Sequence, residues 1–346
     1  MTAPWPSTIH DEEHLERLLS EPTPEVTEAM GELDGDLLIL GVGGKIGPSL
    51  ARMARQASEA AGKKRRIIGV ALFESEQARV RLEREGIQCI HGDLLDRTLL
   101  EGLPDAPNVI FMAGMKFGST ENLALTWAIN CYLPGLVAER FRKSRIVAFS
   151  TGCVYPLVPV TSGGSLEGDA PQPVGEYAQS CLGRERMFDY GSRTHGTPVA
   201  LIRLNYAVEM RYGVLVDVAR KVLAEEPIDL TMGHVNVIWQ GDVNAMVLRC
   251  LRHCQAPPLV LNITGPETVS IRWLAHQFGA LFGKVPRFVG EESGTALLSN
   301  AARAFGLFGY PRVPLEVLIR WTADWMDKGG PLLHKPTHFE VRNGRF

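Results

Sequence analysis

Residues 36–47 read DLLILGVGGKIG, and this stretch decides how the chain folds. Its first part, Asp36–Leu40, is a short apolar run of the kind that lies buried on both faces of a parallel sheet. Three glycines spaced three residues apart follow the run. The segment Pro48–Ala60 then predicts a helix with proline in its first turn, where proline is tolerated. The stretch therefore predicts a buried strand, a tight turn and a helix.

The glycine loop between this strand and this helix is suited to binding a pyrophosphate. Glycine lets the backbone turn tightly and lets phosphate approach the chain, and the last glycine lets the helix and the strand pack closely. The helix N-terminus adds unpaired N–H groups and a partial positive charge. A plain turn that needs glycine only for positive φ is the alternative, but the position between a strand and a helix favours a dinucleotide loop. Its predicted cofactor contacts are Gly41, Gly44, Lys45, Ile46 and Gly47.

Strands and helices alternate after this loop. Short apolar runs predict strands at Arg66–Phe73, Ile87–His91, Asn108–Met112 and Arg145–Ser150. Longer segments between them, at 75–85 and 120–143, predict helices. Such alternation is typical of an α/β fold with a Rossmann-type doubly wound parallel sheet.

The chain divides into three predicted parts. An N-terminal helical leader covers residues 1–35, and a dinucleotide-binding Rossmann domain covers residues 36–205. Residues 206–346 are predicted to form mainly a smaller C-terminal α/β substrate-binding lobe, with some segments returning to the Rossmann domain. Within this part we predict late helices at 296–305 and 315–325, whereas the unusual stretch KPTHF at 335–339 receives no role.

The composition is that of an ordinary globular protein. Hydrophobic residues make up 45% of the 346 residues and charged residues 22%. The formal net charge of −3 provides no positive field for nucleic acid or anionic membrane, and no apolar run reaches the ~18 residues that a membrane span needs. The N-terminus lacks a signal pattern, so we expect a cytoplasmic protein. The six cysteines form no CxxC pair and the nine histidines no metal-binding spacing, so no metal site is predicted.

Further segments occur in a characteristic order after the glycine loop. They are HGDL at 91–94, FMAGMK at 111–116, STGCVY at 150–155, RLN at 203–205 and GDV at 241–243. Together with the GxxGxxG spacing, their order over residues 36–328 resembles the extended short-chain dehydrogenase/reductase family, the NAD-dependent epimerase/dehydratases. The resemblance implies a nicotinamide cofactor, NAD or NADP with NAD favoured, and a small carbohydrate-like substrate.

The resemblance also implies the residues of the site. Cofactor contacts beyond the glycine loop are expected at Asp93, Leu94, Ala113, Gly114, Lys116, Asn130 and Tyr177. Substrate contacts are expected at Thr151, Cys153, Asn205, Tyr206, His234 and Trp239. Three of these residues have a structural alternative, Asn130 as a mid-helix amide bonded to a neighbouring strand, Thr151 as a strand-end residue that satisfies its own turn, and His234 as a hydrogen-bonded lobe residue. The second strand ends near Glu74 and not at the usual aspartate, so the choice between NAD and NADP stays open.

The catalytic motif departs from the family pattern. Family members carry YxxxK, whereas this chain reads YAQSC at 177–181, with Cys181 in place of the lysine. In the family the lysine lowers the tyrosine pKa. Without a nearby cation a tyrosine keeps a pKa of ~10 and is a poor base near neutral pH. We predict that Lys116 supplies the charge, that Tyr177 transfers the proton and that Thr151 polarises the substrate oxygen. Cys181 as a nucleophile is an alternative to Cys181 as a small packed residue.

Two functions follow from these residues. The first is an NAD(P)-dependent oxidoreductase or epimerase that acts on a sugar or sugar-derived hydroxyl or keto group. The alternative is a catalytically impaired dinucleotide-binding sensor or scaffold, because the lysine is missing.

The substrate and the oligomeric state are also constrained. Nucleotide-sugar relatives hold the substrate diphosphate with arginines, but residues 232–239 contain none. A smaller, undecorated sugar or sugar acid is therefore a candidate substrate, unless Arg211 or Arg220 replaces the missing arginines. The helices predicted at 120–143 and 177–195 resemble the dimer contact of the family, so we expect a homodimer.

Overall fold

The computed structural model describes residues 5–116, 118–335 and 337–345, and its centre is a seven-stranded parallel sheet. In chain order the strands are β1 (Leu37–Leu40), β2 (Ile67–Ala71), β3 (Gln88–His91), β4 (Asn108–Phe111), β5 (Arg145–Thr151), β6 (Val199–Leu204) and β7 (Leu259–Ile263). Strands β1, β2 and β4 are buried along their whole length, because helices cover both faces of the sheet. The predicted Rossmann-type α/β fold is confirmed.

The strand order places a ligand crevice beside β1. The order is β7-β6-β5-β4-β1-β2-β3, and neighbouring strands are parallel. The direction in which successive strands are added reverses between β1 and β4, and ligands of open parallel sheets bind outside the strand carboxyl ends at such a reversal. The glycine loop follows β1 directly and so lies at this position.

The helices flank the sheet and build the second lobe. Those of the first half are α1 (Glu12–Ser20), α2 (Pro24–Glu32), α3 (Gly47–Ala60), α4 (Glu76–Arg84), α5 (Arg97–Gly102), α6 (Leu123–Trp127), α7 (Leu133–Arg140) and α8 (Gly175–His195). Those that follow are α9 (Val214–Leu223), α10 (Gln240–Cys250), α11 (Ile271–Phe282), α12 (Ala302–Phe308) and α13 (Leu315–Asp327). Short strands pair as Val158–Pro159 with Thr295–Ala296, Ala207–Val208 with Ile238–Trp239, Pro227–Asp229 with Arg287–Val289, and His234–Val235 with Val269–Ser270.

Each half of the protein has its own large apolar core. The core of the Rossmann half contains residues of β1, α3 and α10, together with Val26 and Met30 of α2. The core of the lobe contains α9, α11 and α13, together with Leu15 and Leu19 of α1. The leader therefore packs on both halves, and α10 and β7 return from the lobe sequence to the Rossmann half. Within the described residues, no helix is long and apolar enough to cross a membrane, and no cluster of His, Cys, Asp and Glu has a metal-binding arrangement.

Two predicted helices are wrong in detail. The single helix expected over 120–143 is interrupted by a π-helical turn at Ala128–Tyr132. Pro134 has no N–H to donate to the carbonyl of Asn130, and Arg184 donates to this oxygen instead, at 3.4 Å.

The second error concerns the expected helix at 296–305. This segment starts as the strand Thr295–Ala296, and its helix begins only at Ala302. The backbone between them is extended because Ser165 exchanges hydrogen bonds with Leu298 and Asn300 at 2.9 Å each.

Candidate cofactor groove and catalytic cavity

The glycine loop needs glycine at two positions for backbone packing. Gly41 has φ of +93°, and a Cβ atom there would lie 2.5 Å from the backbone nitrogen of Ala113 on the loop after β4. A Cβ atom on Gly47 would overlap the carbonyl of Val42, because α3 begins directly against the turn. These two glycines therefore let β1, β4 and α3 meet closely.

Gly44 differs from these two glycines because it borders open space. The nearest atom to a Cβ built on Gly44 is the carbonyl oxygen of Gly41 at 3.7 Å, and Gly44 is exposed. The helix α3 starts three residues later, so its unpaired N–H groups are close by. The loop thus offers a bare backbone surface next to a helix N-terminus, which fits a pyrophosphate.

A groove of about 370 Å³ runs from this loop across the carboxyl ends of β1 to β4. It collects the predicted cofactor contacts Gly41, Gly44, Asp93, Leu94, Ala113 and Gly114, and adds Phe73, Glu74 and Leu95, among others. Asp93 also accepts a hydrogen bond from the backbone N–H of Leu95 at 2.9 Å, which fixes the turn after β3. Six of the residues predicted from separate motifs therefore line one groove of the size and position that a dinucleotide needs.

Asn130 does not face this groove. Its side chain is fully buried, donates to the carbonyl of Met115 at 2.9 Å and accepts from the N–H of Met115 at 2.9 Å. It also donates to Ser180 at 3.1 Å and accepts from Arg184 at 2.8 Å. These contacts favour the structural alternative, in which Asn130 holds the loop after β4 against α8.

A second cavity, of about 210 Å³, lies where β5, β6 and α8 meet the glycine loop. It brings together the predicted residues Lys45, Ile46, Lys116, Thr151, Cys153, Tyr177, Asn205 and Tyr206. Sequence reasoning missed other lining residues, among them Tyr212, Gln240 and Thr337, which come from distant parts of the chain. The stretch at 335–339 is unusual in sequence, but no local pattern relates Thr337 to the cavity. Pro336 of that stretch lies outside the described residues.

Two predicted substrate residues lie elsewhere. Trp239 is buried in the core of the lobe, with its ring centroid 5.5 Å from that of Trp321. His234 is paired with Ser270 in a two-stranded ladder, which favours its role as a lobe residue. Neither lines the cavity.

Tyr177, which is half-buried, and Cys181, which is fully buried, lie next to each other near the start of α8. Burial, and then the Cys181 and Cys153 thiols, raise the pKa of Tyr177 well above its ordinary value. Burial raises the pKa of Cys181 to about 11, and Tyr177 hydrogen-bonds to this thiol. Cys181 packs in an apolar cluster with Val154 and Tyr155. A thiol with a raised pKa is a poor nucleophile, so these observations favour Cys181 as a packed residue.

The helix that carries Tyr177 is fixed to the sheet by a buried ion pair. Arg203 of β6 contacts Glu185 of α8 through two nitrogens, at 3.0 and 2.8 Å. Glu185 also accepts from Ser150 of β5 at 2.5 Å. Such charge-assisted bonds in a buried place have strict geometry, so α8 is held at a defined distance from Thr151, the next residue along β5.

Two lysines, Lys45 and Lys116, also line this cavity. The Lys116 ammonium donates to the backbone oxygen of Thr337 at 3.0 Å, and burial lowers the pKa of Lys116. Burial, and then the charge of Lys116, lower the pKa of Lys45 to about 7. The Lys45 ammonium lies 3.1 Å from the ring centroid of Tyr212, which is a cation–π geometry. Both lysines therefore line the same cavity as Tyr177, although the cation whose charge lowers the pKa of Tyr177 is Arg184.

The arginines considered for a substrate diphosphate are occupied elsewhere. Arg211 contacts Glu209 at 3.1 Å and Glu16 at 2.8 Å, and so ties the leader helix α1 to the lobe. Arg220 is paired with Glu226 at 2.9 Å on the surface. Neither lines the cavity.

Comparison with known proteins agrees with this geometry. The profile of the NAD dependent epimerase/dehydratase family matches residues 37–263. No curated protein sequence matches the chain significantly.

Solved structures similar to this chain include three sugar-nucleotide enzymes. The UDP-glucose 4-epimerase of Thermotoga maritima, solved with UDP-glucose, has a TM-score of 0.70 at 18% identity and covers 85% of this chain and 99% of its own. The UDP-glucuronic acid 4-epimerase of Bacillus cereus, solved with UDP-glucuronic acid and NAD, has a TM-score of 0.71 at 19% identity and covers 85% of this chain and 99% of its own. The dTDP-glucose 4,6-dehydratase of Streptomyces venezuelae, solved with NAD, has a TM-score of 0.72 at 18% identity and covers 85% of this chain and 97% of its own. At these identities the similarity establishes the fold.

Proposed function

The chain belongs to the NAD-dependent epimerase/dehydratase family, and we propose that it is an NAD(P)-dependent oxidoreductase or epimerase acting on a hydroxyl or keto group of a sugar or sugar-derived substrate. The observation that carries the proposal is the meeting of Thr151, Tyr177 and Lys116 in one cavity beside the glycine loop. Structural relatives solved with NAD and sugar nucleotides support the same reaction class.

The three residues have different roles in this proposal. Thr151 accepts the N–H of Cys153 at 3.1 Å through its hydroxyl oxygen, which leaves its own O–H to donate to a substrate oxygen. Tyr177 transfers the proton of the reacting hydroxyl. Lys116 provides positive charge that opposes the effect of burial on the tyrosine. When bound, the dinucleotide supplies hydride transfer.

NAD is the cofactor that the groove favours over NADP. Glu74 lies after β2 and lines the groove. A carboxylate there suits the 2′-hydroxyl of the adenosine ribose, and this one is paired with Lys335 at 2.7 Å. Arg79, a candidate for a 2′-phosphate, is paired with Glu76 and Glu83 on its own helix.

The proposal is tested by hydride transfer. Purified protein is mixed with NAD⁺ and a panel of deuterated free and nucleotide-linked sugars, and the nicotinamide C4 position is analysed by NMR. Stereospecific appearance of deuterium supports the enzyme. Tight NAD binding without transfer from any member supports the sensor or scaffold, which the burial of Cys181 in place of the lysine also favours.

We also propose that the protein is a homodimer and that it is located in the cytoplasm. The face formed by α6, the π-helical turn and α8 exposes Trp127, Tyr132 and Tyr190, which supports a homodimer through these helices. The six cysteines are free, which supports a reducing, cytoplasmic location.

Gly44→Val is expected to weaken NAD binding by at least about 100-fold, or about 2.7 kcal/mol of binding free energy. The new side chain projects into the open groove where the pyrophosphate is proposed to lie, and the protein atom nearest to its Cβ atom is the carbonyl oxygen of Gly41 at 3.7 Å. The free energy of unfolding without cofactor is therefore expected to change little. Calorimetric titration with NAD measures the affinity, and urea denaturation measures the stability. Gly102→Val, at an exposed glycine far from the groove, is the matched control.

The affinity for NAD is expected to fall as pH rises above about 7. Lys45 has a pKa of about 7 in the free protein, and a phosphate bound nearby raises this pKa, so binding takes up a proton between the two values. The affinity for NAD is expected to fall by at most about tenfold per pH unit. Titration calorimetry in buffers of different ionisation enthalpy measures the proton uptake. Lys45→Met abolishes the slope, whereas the surface variant Lys64→Met keeps it; an unchanged slope in Lys45→Met contradicts the assignment.

A further inference from the structure

A segment that we call the strap, residues 333–335 and 337–345, crosses from the cofactor groove to the lobe. Lys335 contacts Glu74 at the groove at 2.7 Å. Phe339 is buried in the core of the lobe and anchors the middle of the strap. Arg342 donates to the carbonyl oxygens of Thr231 and Thr295 at 3.0 and 2.8 Å. The strap thus contacts both halves of the protein.

The strap forms one wall of the catalytic cavity at Thr337. This residue lines the cavity, and its backbone oxygen accepts from the Lys116 ammonium at 3.0 Å. Its backbone N–H and hydroxyl both donate to Asp217 of α9, at 2.9 and 2.6 Å. Three hydrogen bonds therefore hold this wall against the Rossmann half on one side and the lobe on the other.

The far end of the strap closes against the start of α8. Gly175 and Gly344 touch through their backbones, both with positive φ, and a Cβ atom on either would overlap the backbone of the other segment. Tyr177 lies two positions after Gly175 on α8. The strap therefore borders the proposed proton-transfer residue as well as Lys116.

The cavity at Tyr177 is by itself small for a nucleotide-linked sugar, and a separate cavity of about 360 Å³, which contains Arg211 and Arg220, lies on the other side of Tyr212. The cavity at Tyr177 measures about 210 Å³, whereas pockets for ligands of drug size measure about 300–1,000 Å³. Among the described lining residues the cations are Lys45 and Lys116, with no arginine to clamp a diphosphate. The guanidinium of Arg342 is bonded to Thr231 and Thr295.

We infer that the substrate is a monosaccharide-sized polyhydroxylated compound without a nucleotide, and that the strap is the wall that excludes sugar nucleotides. This inference rests on the proposed function. It distinguishes the chain from the structural relatives that were solved with UDP-linked sugars.

The first test compares ligands of the NAD-loaded wild-type protein. Saturation-transfer NMR is recorded with free hexoses and hexuronic acids, and separately with UDP-glucose and UDP-glucuronic acid. A free sugar or sugar acid is expected to bind, and the UDP-sugars are expected neither to bind nor to displace it. Binding of a UDP-sugar that is displaced by the free sugar overturns the inference.

The second test opens the wall. Asp217→Ala removes the two hydrogen bonds that hold Thr337 against α9 while Phe339 keeps the strap attached, and UDP-glucose is expected to gain binding. Arg345→Ala, at an exposed position of the strap, is the matched control and is expected to exclude UDP-glucose. If Asp217→Ala does not fold, Thr337→Val removes the hydroxyl that donates to Asp217 at 2.6 Å. Exclusion of UDP-glucose by a folded, opened variant overturns the strap as the wall.

The results of these two binding tests can be interpreted whether or not the protein proves to be an enzyme. Gain of UDP-glucose binding on opening supports the wall even where no hydride transfer is detected with any compound. Absence of transfer in wild type then counts against the enzyme alone.

Discussion

Tyr177→Phe is expected to lower turnover by about 10²- to 10⁴-fold, the range for removal of a general acid–base group. The hydroxyl lies in the cavity beside Thr151 and Lys116, and phenylalanine keeps the ring while removing the proton that is transferred. The affinity for NAD is expected to change by less than about tenfold, because the dinucleotide is held mainly at the glycine loop. Steady-state kinetics on the substrate identified by the hydride-transfer panel measures the first effect, and calorimetry measures the second.

The matched control for this variant lies on the same helix. Tyr190 of α8 is 67% exposed and far along the helix from the cavity, so Tyr190→Phe should retain full turnover. Full turnover by Tyr177→Phe would remove the tyrosine from the mechanism. Lys45, with its pKa of about 7 in the same cavity, would then be the group to test for proton transfer.

The pH dependence of turnover is a second test of proton transfer by Tyr177. Burial raises the pKa of Tyr177, so in the absence of compensating charge the ionised tyrosine is scarce near neutral pH. Turnover in the oxidative direction is therefore expected to increase with pH, and Lys116→Met is expected to move the rise to higher pH because it removes positive charge from the cavity.

The parts of the fold that sequence predicts well are those that depend on neighbours in the chain. The strand–glycine–helix unit at 36–60 is one such part, because the apolar run, the turn and the helix start are all local properties. The requirement for Gly47 is visible in the same way, since its steric conflict is with Val42, five residues earlier. Motif order then places Asp93 and Gly114 at the ends of neighbouring strands, and these residues do line one groove.

The parts that sequence does not predict depend on contacts between distant segments. Trp239 was expected at the substrate, but it is buried against Trp321, which lies 82 residues later in the chain. The helix expected at 296–305 is replaced by extended backbone that bonds to Ser165. Thr337 reaches Lys116 across 221 residues. Periodicity and local motifs hold no information on such pairs.

The substitution of cysteine for the family lysine is explained by how the site is packed. Cys181 is 1% exposed and lies among Val154 and Tyr155 on the inner face of α8. Arg184, one turn further along, already places a cation near this position and influences the pKa of both Tyr177 and Cys181. Arg184 is committed to the carbonyl of Phe149 at 2.7 Å and to Asn130. A second cation at 181 therefore has neither room nor a counter-charge.

Cys181→Lys is consequently expected to destabilise the protein and not to improve catalysis. A fully buried lysine has its pKa lowered by about 3–5 units, and at 1.36 kcal/mol per unit this lowers the free energy of unfolding at neutral pH by about 4 kcal/mol or more. The unfolded state binds the proton more tightly than the folded state. The deficit is therefore largest below the folded pKa and shrinks as pH rises towards the ordinary lysine value of ~10.4.

Cys181→Met separates the effect of charge from that of size, because methionine is similarly long but uncharged. It is expected to cost only the ~1–3 kcal/mol of overpacking, independent of pH. Urea denaturation of both variants between pH 7 and 10 measures the difference, which should narrow steadily as pH rises. A lysine variant as stable as the methionine variant at pH 7, with increased turnover, would mean that the site still accepts the family ammonium. In that case the positive charge of Lys116 is not the substitute that the chain relies on.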